Sequence, residues 1–193
     1  IDPGDAHAFQ LDGDSIELTS HQSPATTGVT KTAMELVSDI PVVAYQFTPF
    51  STSQVASSDA SLLLPEHAWD TDYYTAMFAN DGTIWLEVVS LEDGNDITIT
   101  APDDMMGSTN GGGGLPALSA GQSANVQIDS QEILRVTAPT GGVADITGIR
   151  VESSAPVSVL VGTPSMSIPG PGMSFYKDYM EEELPPRSAW GQE

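Results

Sequence analysis

The chain has 193 residues, no Cys, and 27 Asp plus Glu against 5 Lys plus Arg, for a formal net charge of −22. The lack of Cys excludes a disulfide framework and a thiolate zinc site, and the acidity disfavours nucleic acid and membrane insertion as partners, because phosphates and anionic headgroups are repelled. No stretch approaches the roughly 20 apolar residues of a spanning helix. Period-2 alternation, the signature of a half-buried strand, then recurs along the chain. Val42, Ala44 and Gln46 alternate with Val43, Tyr45 and Phe47; Ile84, Leu86 and Val88 alternate with Trp85, Glu87 and Val89. Ile97 and Ile99 alternate with Thr98 and Thr100, and the intervening Asp93-Gly94 step predicts a hairpin. Gly107 to Gly114 reads as a mobile surface loop. Val126 and Ile128, Leu134 and Val136, Ile149 and Val151, and Val157, Val159 and Val161 mark further strands.

The chain also repeats itself. Ser38-Asp39-Ile40-Pro41-Val42-Val43-Ala44 and Ser153-Ser154-Ala155-Pro156-Val157-Ser158-Val159 share S-x-x-P-V, with the prolines 115 positions apart. Leu64-Pro65 to Ala68-Trp69 matches Leu184-Pro185 to Ala189-Trp190, with the tryptophans 121 apart. Gly4-Asp5 to Leu11 resembles Gly121-Gln122 to Ile128 at 117. Three landmarks in one order at nearly the same offset point to duplication. The expected fold is therefore all-β, an antiparallel β-sandwich built from duplicated units, with a propeller-like or barrel arrangement as the alternative. Residues 1–115 are read as the first unit with its hairpin and glycine-rich loop. Residues 116–193 are read as the start of a second unit packed with the first. A longer tandem-repeat parent is expected.

Several stretches resemble the N-terminal domain family of IgGFc-binding protein. They are Ser38-Asp39-Ile40-Pro41-Val42-Val43-Ala44-Tyr45-Gln46-Phe47-Thr48-Pro49, Asp59-Ala60-Ser61-Leu62-Leu63-Leu64-Pro65, Ile146-Thr147-Gly148-Ile149-Arg150-Val151, and Met180-Glu181-Glu182-Glu183-Leu184-Pro185-Pro186 with Trp190-Gly191. The resemblance implies an extracellular or cell-surface protein of adhesive or matrix-like character. It does not imply immunoglobulin binding, because a ligand does not travel with a fold. Family members often carry two Cys where Ser165 and Lys177 stand here, and a His where Tyr179 stands.

Signals for chemistry are sparse. There is no G-x-S-x-G elbow, and the glycine run is not followed by Gly-Lys-Ser/Thr. His7, His21 and His67 share no motif with an acidic partner. Asp103-Asp104 reads as solvated, and Glu181-Glu182-Glu183 as a solvated face. Structural calcium is the one cofactor considered, at Asp12-Gly13-Asp14, Asp70-Thr71-Asp72 or Asp93-Gly94-Asn95-Asp96, though none is an EF-hand loop. Tyr73, Tyr74 and Phe78 are expected to pack a strand, with a carbohydrate platform as the alternative. Trp69 and Trp190 are expected to anchor the core of each copy. No catalytic, cofactor-binding or metal residue is assigned. The reading is a non-catalytic adhesion or scaffolding module whose partners are proteins, surface glycans, neighbouring repeats or its own copies. The alternatives are a glycan- or protein-recognition domain and a subunit of a surface filament or layer.

Overall fold

The computed structural model describes residues 26–48, 59–79, 83–138, 144–166 and 178–191. Gly4 to Leu11, Asp12-Gly13-Asp14, His7, His21 and Lys177 lie outside them. The described chain is all-β, as its alternation predicts. Its strands are β1 (Gly28–Thr30), β2 (Ala44–Thr48), β3 (Asp59–Leu63), β4 (Asp70–Tyr74), β5 (Phe78–Ala79), β6 (Trp85–Ser90), β7 (Asn95–Thr100), β8 (Ser123–Ile128), β9 (Ile133–Thr137), β10 (Ala144–Asp145), β11 (Arg150–Met166) and β12 (Asp178–Glu183). Eight of them form one antiparallel sheet that curls into a half-barrel. Two ribbons stand apart from it, β2 with β3 and β5 with β10.

The curl is set by β11, which is 17 residues long and carries two strands along each edge. On one edge, Arg150–Ser153 pairs with β7 and Val157–Gly162 pairs with β6. On the other, Arg150–Val157 pairs with β4 and Leu160–Met166 with β12. The register shifts between Glu152 and Val157, the stretch that holds Pro156. Proline lacks the ladder donor, so the strand can bend there at little cost. One arm of the sheet then runs β1-β9-β6-β11-β12 and the other β8-β7-β11-β4. Both arms bury the same core, which includes Tyr73, Leu86, Val88, Ile97, Ile99, Val151, Val157 and Val159.

This topology corrects the expected hairpin. β6 and β7 do not pair with each other; they lie end to end along one edge of β11. The Asp93-Gly94 turn is a corner between the two arms, with Gly94 at φ 67°. A second corner, between β8 and β9, is pinned to it reciprocally. Gly94 N–H donates to Asp129 Oδ1 at 2.9 Å, and Ser130 N–H donates to Asp93 Oδ1 at 3.1 Å.

The glycine run is a second correction, because it is packed rather than free. A Cβ on Gly113 would lie 2.7 Å from Gly28 Cα, and one on Gly111 would lie 2.9 Å from Ala117 N. Thr109, Leu115 and Leu118 are buried beneath the run. Asn110 N–H donates to Thr137 O at 2.7 Å, and Thr27 Oγ1 donates to Asn110 O at 2.8 Å. Glycine serves here to let two backbones touch.

Candidate functional site

The two Leu-Pro…Ala-Trp landmarks take the same local path. Each strand, β3 or β12, passes through Leu-Pro into a single 3-10 turn, Glu66–Ala68 or Arg187–Ala189. In each turn the Trp amide closes it, donating to Glu66 O at 3.0 Å or to Arg187 O at 3.1 Å. The proline fixes the extended entry and the turn aims the Trp. The two tryptophans then diverge. Trp69 is half-buried, and its Nε1 donates to Leu64 O at 3.0 Å. Trp190 is 49% exposed, so it is not the core anchor expected of it. Its ring lies on Tyr74, with centroids 5.9 Å apart at 49°.

That contact forms one wall of a shallow open cleft of about 490 Å³, lined by Tyr74, Thr75, Ala76, Thr147, Gly148, Arg187 and Trp190. Strand alternation explains Tyr74. Its neighbour Tyr73 points into the core, where its hydroxyl donates to Val157 O at 2.6 Å and burial pushes its pKa up to about 12. Tyr74 therefore faces outward at the strand end, opposite Arg150. The floor comes from the Thr147-Gly148 turn, with Gly148 at φ 84° and its N–H donating to Thr75 O at 2.8 Å.

Two of the chain's five basic residues converge here. The guanidinium of Arg150 lies 5.7 Å from the Tyr74 ring centroid, and that of Arg187 lies 5.8 Å from it. Asp72 joins them. Arg150 Nε donates to its Oδ1 at 2.9 Å and Arg187 Nη1 to its Oδ2 at 3.1 Å. The Arg150 hydrogen bond is the main cause that holds the Asp72 carboxyl below its ordinary pKa. Asp70 is lowered too, chiefly by Ser188, whose hydroxyl donates to Oδ2 at 2.6 Å. Both carboxylates stay ionised, which is the reverse of what a general acid requires. The cleft offers aromatic faces, the exposed Thr147 and a guanidinium, a set suited to holding a side chain or a sugar ring, while the buried Thr75 hydroxyl is already held by the Ile146 carbonyl.

The structure also gathers acids where the sequence suggested solvent. Glu181 and Glu183 are buried; only Glu182 of that run is exposed. Strand alternation explains this, because β12 is paired to β11 and covered by β3. Asp59 Oδ2 accepts the Glu181 N–H and Ser61 Oγ accepts the Glu183 N–H, each at 2.8 Å. Glu183 in return accepts from Leu64 N–H and from Ser158 Oγ, both at 2.7 Å. Burial raises its pKa. Glu181 accepts the Tyr179 hydroxyl at 2.9 Å, and burial raises its pKa to about 7. The nearby Glu87 pairs with Arg135. At 4% exposure, Glu181 is closed to a substrate.

Several oxygens of the described calcium candidates are engaged by the protein. Asp93 and Asp129 bind the opposite corner, Asn95 Oδ1 accepts from Ser154 and Ala155, and Asp72 holds two arginines. No group of three or more His, Asp or Glu is placed to hold a metal among the described residues. His67 is exposed in its turn, and Asp103 and Asp104 are exposed. No described helix is long and apolar enough to cross a membrane.

The family described as IgGFc binding protein matches residues 59–193. No curated protein and no solved structure matches the chain. The matched region holds the Asp59–Pro65 and Met180–Pro186 stretches, which bind each other through Asp59, Ser61 and Glu183. It also contains every residue of the cleft. Members of this family are typically extracellular binding proteins. On this match the chain belongs to the IgGFc binding protein family.

Proposed function

We propose that the chain is a non-catalytic module that binds another protein through the Tyr74–Trp190–Arg187 cleft and serves adhesion or scaffolding within a tandem array on a cell surface. The observation that carries the reading is the exposed Trp190, stacked on Tyr74 beside Arg187. Trp, Tyr and Arg are the residues that most often dominate protein interfaces. On a chain of net charge −22, this is also where two of five cations meet. The array is supported by the matching local paths of the two Leu-Pro…Ala-Trp landmarks. Such repeats space their loops at fixed intervals and leave those loops to vary.

A random peptide library displayed on phage tests the reading. Immobilised wild-type chain is expected to enrich peptides that the Trp190→Ala variant fails to retain. Peptides retained equally by both would contradict the cleft as the binding site. The aromatic pair favours one second reading, a glycan-recognition domain. It requires signals on a glycan array that disappear with Trp190→Ala, together with no peptide enrichment.

A further inference from the structure

We propose that the exposed apolar face of the β2–β3 ribbon joins two copies of this chain. The duplicated sequence shows what this segment resembles. Thr32, Ser38, Pro41, Val42 and Thr48-Pro49 match Thr147, Ser153, Pro156, Val157 and Thr163-Pro164, every one at an offset of 115. By this match Leu36 corresponds to Val151, and Val42 to Val157. Val151 and Val157 lie wholly in the core, whereas Leu36 and Val42 are exposed. A pattern that is central strand in the second copy is thus uncovered in the first.

The exposed face is continuous. Val43, Tyr45 and Phe47 alternate onto one side and are 71%, 57% and 59% exposed. Leu62, opposite Tyr45 in the ladder, adds to it. Two largely exposed aromatics with the aliphatics around them give a patch of several hundred Å², roughly the size that marks an interaction site. Residues 40–48 and 60–64 carry no charge. Two copies at −22 each repel almost everywhere else, so this face is where they meet most easily.

A second copy offers few other apolar elements to cover it. Its β6 is already held by β9 and β11, its β7 by β8 and β11, and its β9 by β1 and β6. The covering used on β11 is also barred by size. Gly162 leaves room there for Trp85, and Phe47 stands at the matching position. Outside residues 34–62, the exposed large apolar side chains among the described residues are Met106 and Trp190, so the continuous apolar face available on the partner is the same one, packed about a two-fold axis as in most homodimers. Sheets stacked in this way lie about 10 Å apart.

Sedimentation velocity of the full chain from micromolar to millimolar concentration tests this, at low and high NaCl. The expected result is a reversible monomer–dimer equilibrium that tightens with salt, because screening removes the like-charge repulsion. Tyr45→Glu with Phe47→Glu is expected to weaken the dimer at least about tenfold while the thermal midpoint holds, because both side chains are already in water. If that pair disturbs folding, Val43→Lys decides in its place. Trp190→Ala is expected to leave the dimer intact, which separates this inference from the cleft. A monomer at every concentration and salt, or a dimer unchanged in these variants, would overturn it.

Discussion

Gly162 shows how one side chain decides a strand. A Cβ there would lie 2.7 Å from Met180 O and from Trp85 Cε2. Gly162→Ala is therefore expected to cost about 1–3 kcal/mol by overpacking, read as a lower urea midpoint. Trp85→Ala removes the other partner and is expected to cost about 3–5 kcal/mol. Trp190→Ala should lie within about 1 kcal/mol of wild type, because its ring is half in water. Glu181 carries a pH signature. Its folded pKa of about 7 lies above the unfolded value of 4.5, with burial the main cause and Glu87 and Asp59 adding repulsion. Its contribution to stability is thus full below 4.5 and lost as pH rises through about 7. The loss is at most about 3 kcal/mol for this group. Glu181→Gln keeps an acceptor for Tyr179 and is expected to raise stability at pH 8 more than at pH 5. Urea unfolding at both pH values checks this, and an equal effect at both would contradict it. The sequence did not show this burial. Three consecutive acids look solvated until alternation is combined with a cover from β3, some 120 positions away in the chain.

At the level of elements, alternation located the strands well, because it records which side faces the core. Pairing was less legible. Asp93-Gly94 reads as a hairpin, yet the same positive φ also turns a corner between two arms. The difference lies in partners distant in the chain: β6 and β7 both pair with β11, and the corner is pinned by the Asp93–Ser130 and Gly94–Asp129 bonds, 35 or more positions away. The glycine run misled for a similar reason, since composition cannot separate looseness from close approach. Gly113→Ala, at φ 58° and against Gly28 and Val29, is expected to cost more than Gly107→Ala, which has φ 84° but nothing within 4 Å of the added methyl. The second change carries only the backbone penalty of about 1–2 kcal/mol, and the first adds the steric clash. Thermal unfolding of the two variants side by side measures the gap. The cleft was half legible. Tyr74 stood out in the sequence, but Arg187 and Trp190 reach it only because a 3-10 turn after Pro186 carries them across β4.

For the whole molecule, 27 acidic residues stand against only five Lys and Arg, and two of those five are used at one cleft. The apolar β2–β3 face is the complementary exception, an uncharged area on an acidic body. Family membership was legible in part because two of its motif stretches, Asp59–Pro65 and Met180–Pro186, hold β3 on β12, so their chemistry is constrained together. The proposed recognition of a protein rests on the Tyr74–Trp190–Arg187 cleft. The most direct test is calorimetric titration of a phage-selected peptide into wild type, Trp190→Ala and Arg187→Ala. Wild type is predicted to bind, with Kd weakened about tenfold or more in each variant at unchanged melting temperature. Equal Kd values in all three proteins would contradict the account.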